Sequence, residues 1–316
     1  RGPMRVFVSG DGGVDDLAAL TMAVAAMMAG SIEIVGVAVT GGNCFLDAGV
    51  QATRKILDLA GLDAVVKVST CDAEGVNPFP RSWRSASYGM CHIPRLLRDG
   101  RPRTQLLQTP AHMHLAECCM ASDTPITVLE TGPLTCMARA LKAFPEVAKP
   151  NRISQLVWMG GAIDVEGNVH REGADGSAEW NVYWDPMSAK QVIDTGPKLR
   201  ICPLDVCNQA PITTKFLEDL SLQAKGCSPD RVDFADITGQ IFAPSMRSFH
   251  WGDEDEYGKS SMYAWDVLAA SYTIWPDLFS CEEMSLDVSL KGPSEGRLFR
   301  SPGTKQVVKS LEVLYD

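Results

Sequence analysis

Three carboxylates fall within six residues in Asp11-Gly12-Gly13-Val14-Asp15-Asp16. Acids crowded this closely repel one another, and a cation is the natural way to hold them together. Hard oxygen ligands suit calcium or magnesium rather than zinc. Capping of a helix N-terminus explains one or two of these acids. It does not call for three on a glycine-rich turn, so a metal site is the preferred reading. Gly10, Gly12 and Gly13 do not complete a dinucleotide fingerprint, because Asp15 stands at the third glycine position and a pyrophosphate would meet negative charge. No Walker sequence is present. Asp253, Asp255 and Gly258 imitate the opening of an EF-hand loop, but Ala264 stands where its closing Glu belongs. That run reads as a solvated loop.

His92, His112, His114, His170 and His250 are the five histidines, and none lies in the acidic turn. His112 and His114 flank Met113 on an expected helix, without a partner at zincin spacing. They read as surface or partly buried side chains, so no histidine is offered as a general acid.

The elements that must position the acidic turn follow from the apolar pattern. Val6–Val8 reads as a buried strand, and Leu17, Leu20, Val24, Met27 and Met28 as a helix that stops at Gly30. Ile32–Thr40 is a second strand, followed by a helix through Ile56 and Leu59 to Gly61. Val65–Val68, Ile126–Leu129 and Leu156–Met159 continue the alternation. The expectation is an α/β fold: one open, mostly parallel, doubly wound (Rossmann-like) sheet flanked by helices, with right-handed crossovers. Ligands of such sheets bind beyond the carboxyl ends of the strands, where the acidic turn falls. Two segments break the rhythm and could cover a site: the Pro-, Gly- and Ser-rich Cys71–Pro94, and the acidic Trp251–Met262.

Of 316 residues 45% are apolar and 22% charged, as expected of a globular protein with a substantial core. Arg1-Gly2-Pro3 reads as a cloning remnant before Met4, leaving 4–316 as a single domain. The net charge of −10 argues against nucleic acid as a partner. Ten scattered cysteines without a C-x-x-C read as reduced thiols, and no apolar run reaches membrane-spanning length. These points suggest a cytoplasmic protein with no membrane partner.

The turn Asp11–Asp16 resembles the N-terminal signature of the nucleoside hydrolase family, D-x-D-P-G-x-D-D. Further segments match in order: Thr40-Gly-Gly-Asn43, Glu130-Thr-Gly-Pro-Leu-Thr135, Trp158-Met-Gly-Gly-Ala162, Gly167-Asn168, Glu179-Trp-Asn-Val-Tyr-Trp-Asp-Pro186 and Tyr263-Ala-Trp-Asp266. The resemblance runs to about residue 270. Val76–Arg84 and Trp265, where many relatives carry a histidine, are similar to the inosine-adenosine-guanosine-preferring enzymes of trypanosomes. Three departures stand out: Ser9 and Gly12 in the first motif, and Cys136 where Asn usually follows L-T.

The resemblance implies hydrolysis of the N-glycosidic bond of purine ribonucleosides, in purine salvage, by a homodimer. It implies that calcium is held by Asp11, Asp16, Asp266 and the Thr131 carbonyl, with Asp11 as general base. Asp15, Asn43, Asn168, Glu179 and Asn181 would clamp the ribose, and Met159 would pack against it. Trp83 and Trp265 would sandwich the leaving base. Read locally, Asp266 is a helix cap, Asn168 a turn residue, Glu179 and Asn181 solvated loop, Met159 and Trp265 core, and Trp83 a surface anchor. Two other readings remain: a nucleoside- or sugar-binding protein that no longer hydrolyses, and a metal-dependent phosphoesterase. The second is disfavoured by the lack of Arg or Lys in these motifs.

Overall fold

Alternation of side chains across each strand divides the apolar residues between two faces of one sheet. The computed structural model describes residues 2–97, 100–224, 233–248, 262–302 and 307–313. Val6, Val8, Leu129, Val157 and Met159 enter one apolar cluster, while Phe7, Val128, Leu156 and Trp158 enter the cluster on the opposite face. Both faces are covered by helices, as buried parallel strands require.

The strands are β1 (Met4–Gly10), β2 (Ile32–Thr40), β3 (Val68–Cys71), β4 (Ile126–Glu130), β5 (Ile153–Met159), β6 (Leu199–Cys202), β7 (Phe279–Val288), β8 (Leu298–Arg300) and β9 (Val307–Val313). They form one sheet in the order β3-β2-β1-β4-β5-β6-β9-β7-β8. The six from β3 to β6 are parallel and make the central sheet; β9 extends them in parallel. β7 runs antiparallel to both β9 and β8. The doubly wound expectation therefore holds, with an antiparallel edge added.

The chain winds outward from β1 through β2 to β3, then returns to the other side of β1 as β4. The order reverses between β1 and β4, and a crevice opens at the carboxyl ends where such a reversal occurs. The helix Val14–Met28 follows β1 and ends before Gly30, whose φ of 78° breaks it. Leu46–Leu59 follows β2 as expected.

Two expectations need correction. The third strand is Val68–Cys71 rather than Val65–Val68, because β2 pairs Val37 with Val68 and Thr40 with Cys71. Val65 and Val66 instead turn back, their N–H groups donating to the Leu62 carbonyl. The Cys71–Pro94 segment is not all loop: Arg81–Arg84 and Ala86–Met90 are short helices, and Pro94 opens a third that runs to Leu97. Of the acidic segment Trp251–Met262, residues 251–261 lie outside the described residues, as do Cys227 and His250.

Candidate active site

Asp11 leaves β1 at the crevice, and the turn behind it is built on backbone freedom. Gly12 has φ 73°, a conformation closed to proline, whose ring fixes φ near −65°. A Cβ there would also meet Cys44 Sγ at 2.7 Å. The family's proline therefore has no place in this turn as it is folded here.

Asp16 organises the turn. Its Oδ1 accepts from the Asp11 N–H at 2.9 Å and from Thr131 Oγ1 at 2.6 Å. Its Oδ2 accepts from the Gly13 N–H at 2.9 Å. One carboxylate thus ties the end of β1, the start of the Val14–Met28 helix and the residue after β4. Asp11 Oδ2 accepts from the Asn43 N–H at 3.0 Å, which adds the loop after β2. Gly42 and Gly132 make room for Asp11: a Cβ on Gly42 would lie 2.5 Å from its Oδ2, and one on Gly132 2.9 Å from its Cβ.

The opposite wall comes from the segment after β5. Asn181 Nδ2 donates to the Thr131 and Met159 carbonyls, each at 3.1 Å, and lies 3.4 Å from Met159 Sδ. Glu179 caps the helix Trp180–Trp184, accepting from the Asn181 N–H at 2.9 Å, and reaches back to the Gly161 N–H at 2.8 Å. Asn168 Oδ1 accepts from the Trp180 N–H at 3.1 Å. Glu179 and Asn181 are buried, so the solvated-loop reading of these residues is overturned. The motif's Asp185 is structural: it caps Pro186–Thr195 and accepts from Thr135 Oγ1 at 2.6 Å.

These walls enclose a cavity of about 200 Å³. Asp11, Asp15, Asp16, Asn43, Trp83, Thr131, Met159, Asn168, Glu179, Asn181, Trp265 and Asp266 all line it. Every site residue expected from the sequence is therefore brought to one place. Phe79 and Trp180 line it as well and were not expected. Their rings stack at 5.0 Å, and Trp83 meets Trp180 edge-on at 5.3 Å. Trp180 sits between Glu179 and Asn181, and Phe79 inside Val76–Arg84, so both were signalled as aromatics within matching segments. Trp265 opens the helix Trp265–Ile274, tilted against Tyr263 at 5.8 Å, and its buried Nε1 has no hydrogen-bond partner.

The electrostatics are those of an acid cluster. Burial, then repulsion from Asp16, pushes the Asp11 carboxyl well above the usual range. The same causes raise Asp15 to about 7, while burial and Asp15 raise Asp266. Burial also raises Glu179 to about 7. Among the described residues, no Lys, Arg or His lines the cavity to balance them. One carboxylate oxygen each from Asp15, Asp16 and Asp266 lie within 4.8 Å of one another. An all-oxygen donor set, buried at Asp16 and Asp266 and half-buried at Asp15, fits a hard divalent cation. This grouping contains Asp15 rather than Asp11, whose N–H is bonded to Asp16.

The model of the family described as inosine-uridine preferring nucleoside hydrolase matches residues 6–313. The chain belongs to this family. A solved structure of an inosine-uridine preferring nucleoside hydrolase from Bacillus anthracis superposes with a TM-score of 0.85 at 32% identity, covering 99% of this chain and 95% of that one. A non-specific ribonucleoside hydrolase of Salmonella agona is 26% identical, covering 98% of this chain and 94% of its own length. A purine-preferring ribonucleoside hydrolase from Gardnerella vaginalis shares the fold, with a TM-score of 0.74 at 22% identity over 96% of this chain and 92% of that one.

This nucleoside hydrolase is thus a hydrolytic enzyme acting on ribonucleosides, with an acidic cluster that could bind a metal. No described helix is long and apolar enough to cross a membrane.

Proposed function

We propose that the enzyme hydrolyses purine ribonucleosides (inosine, adenosine and guanosine) to free base and ribose, in purine salvage. The observation that carries this reading is one cavity that gathers the acids with the indoles Trp83 and Trp265, and with no histidine among the described residues of its lining. Residues 4–316 act as one domain, read from the family resemblance as a cytoplasmic homodimer.

Asp11, Asp16, Asp266 and the Thr131 carbonyl would hold calcium, with Asp15 close enough to share the site. When bound, the cation supplies positive charge that offsets the acids and acidifies a water. Asp11, fixed through the Asn43 N–H, takes a proton from the water that attacks C1′. The C1′–N9 bond breaks with its electron pair leaving on the purine. Positive charge then builds on the sugar, as in other glycoside hydrolysis, and the carboxylates of Asp15 and Glu179 stabilise it more than the ground state. Asn43, Asn168 and Asn181 orient the ribose hydroxyls, and Met159 packs beneath the ring.

The departing purine must gain a proton, most simply at N7 from solvent. Trp83 and Trp265 stabilise the protonated base by stacking and cation–π attraction, in place of a general acid. At roughly 0.5–2 kcal/mol per contact, removing either indole should slow inosine turnover roughly 2- to 30-fold. Trp83→Ala and Trp265→Ala should leave hydrolysis of nitrophenyl riboside, which needs no leaving-group proton, far less affected. Equal losses on both substrates would refute the role.

A further inference from the structure

Trp83 lies on the short helix Arg81–Arg84, and Asp11 is held from the loop after β2, where the Asn43 N–H donates to its Oδ2 at 3.0 Å. Between these two segments one peptide unit, Cys44–Phe45, is gripped at both polar ends. Arg84 Nε donates to the Cys44 carbonyl at 3.1 Å, and the Phe45 N–H donates to Ser87 Oγ at 3.2 Å. Ser87 Oγ in turn donates to the Arg84 carbonyl at 2.7 Å, which closes a ring of three hydrogen bonds. The Arg84 guanidinium carbon also lies 4.9 Å from the centre of the Phe45 ring, and Phe45 stacks on Tyr88 at 5.2 Å.

The loop after β2 lacks the usual local lock. Phe45 is the N-cap of the helix Leu46–Leu59, where Ser, Thr, Asp or Asn would bond the first turn, and its side chain caps nothing. The lock comes instead from Arg84 and the buried Ser87, 40 and 42 residues further along the chain. Cys44 also packs on the turn behind Asp11, since a Cβ on Gly12 would lie 2.7 Å from its Sγ. Movement of the Cys44–Phe45 peptide therefore reaches Asp11 by two routes, the Asn43 N–H and the Gly12 backbone.

We propose, resting on the roles given to Asp11 and Trp83, that Arg84 is a positioning residue that registers the base-stacking indole against the general base. Its backbone carries Trp83 as the preceding residue, and its side chain holds the loop that holds Asp11. Ser87 is the second half of the same clamp. Arg84 does not line the nucleoside cavity, so it acts through these neighbours and not by touching the substrate. Displacing a reacting group by about 1 Å from a distance can cost roughly 10²-fold in rate, which makes such a clamp matter.

Arginine suits the position. Its planar guanidinium gives one N–H to the Cys44 carbonyl while resting on the Phe45 ring, and a lysine ammonium has no such plane. Arg84 also lines a second cavity, of about 330 Å³, which shares no lining residue with the nucleoside site. A small cation can therefore reach the place of the guanidinium once the side chain is removed.

The test compares kcat/KM for inosine and for nitrophenyl riboside in Arg84→Met, Trp83→Ala and the double variant. Arg84→Met should lose roughly 10- to 100-fold on inosine and at least about fivefold on nitrophenyl riboside, a substrate that Trp83→Ala leaves far less affected. On inosine the double variant should lose less than the product of the single losses, because an indole already out of register contributes less when removed. In Arg84→Ala, millimolar guanidinium chloride should restore kcat/KM several-fold on both substrates, whereas a generally weakened fold would only lose activity in a denaturant. Ser87→Ala removes the other grip with a minimal change and should show the same pattern at smaller size, which keeps the test open if an Arg84 variant folds poorly. Wild-type kcat/KM on nitrophenyl riboside in folded Arg84→Met, losses that simply multiply with those of Trp83→Ala, or no recovery with guanidinium would each overturn the clamp. Equal losses on both substrates in Trp83→Ala would refute the indole's role instead, and the nitrophenyl riboside arm would still decide whether Arg84 holds Asp11 in place.

Discussion

Cation binding should appear as thermal stability, and its size can be worked from the acid cluster. Asp15, Asp16 and Asp266 present oxygens within 4.8 Å of one another, and the unfolded chain has no such arrangement. A ligand that binds only the native state stabilises it by about 2.7 kcal/mol at one hundred times its Kd, and by about 1.4 kcal/mol for each further decade. With about 2.1 cal/mol/K of unfolding entropy per residue, 316 residues give about 0.66 kcal/mol/K. The melting temperature should rise about 4 °C at one hundred times Kd, then about 2 °C per decade of calcium. Differential scanning calorimetry at pH 7.5, from chelated protein through rising calcium, reads this directly. Asp266→Asn removes one member of a repelling cluster, so it should melt higher than wild type in chelator and lose the slope in calcium. A flat wild-type response, or an unchanged slope in Asp266→Asn, would refute the cation site.

Three further outcomes follow. Asp11→Asn keeps a side-chain oxygen for the Asn43 N–H but takes no proton, so kcat for inosine should fall by roughly 10²–10⁴ while inosine still binds; near wild-type kcat would remove Asp11 as base. Gly42→Ala places a Cβ 2.5 Å from Asp11 Oδ2, so steady-state kinetics should show a large loss of kcat/KM, and an unaffected kcat/KM would show that Asp11 need not be held where it stands. His114, buried against Phe7 and bonded to Ser69 Oγ at 2.8 Å, is lowered by burial from 6.5 to about 4. Its neutral form is the one favoured by folding, so its contribution is complete above pH 6.5 and is lost as pH falls toward 4. Between pH 7 and 5 denaturant unfolding should show wild type losing about 2 kcal/mol more than His114→Gln, and parallel profiles would contradict it.

The acidic turn was legible from its residue types, and the rest of the site through the resemblance to nucleoside hydrolase motifs, whose residues sit where strand patterns end. Asp11, Asn43 and Thr131 follow β1, β2 and β4, and Met159 closes β5. The apolar runs marking those strands are among the clearest signals in the chain. The third strand was misplaced because its buried polar residues find partners far away in sequence: Ser69 is satisfied by His114, which local pattern cannot show. Glu179 looked like a solvated loop residue for the same reason, since its Gly161 partner lies 18 residues back along the chain. The stack of Phe79 on Trp180 joins segments a hundred residues apart, so its aromatics were visible but not their meeting. Gly12 in place of proline read as a departure, whereas its φ of 73° requires glycine here.

The central claim is calcium-dependent hydrolysis that prefers purine nucleosides. It is tested most directly by measuring free ribose from inosine, guanosine, adenosine and uridine, with and without exhaustive chelation of calcium. Ribose from the three purines, little from uridine, and loss of both on chelation that calcium restores is the predicted result. Uridine cleaved as well as inosine would contradict the purine preference and the role given to Trp83 and Trp265, and full activity after chelation would contradict the cation site.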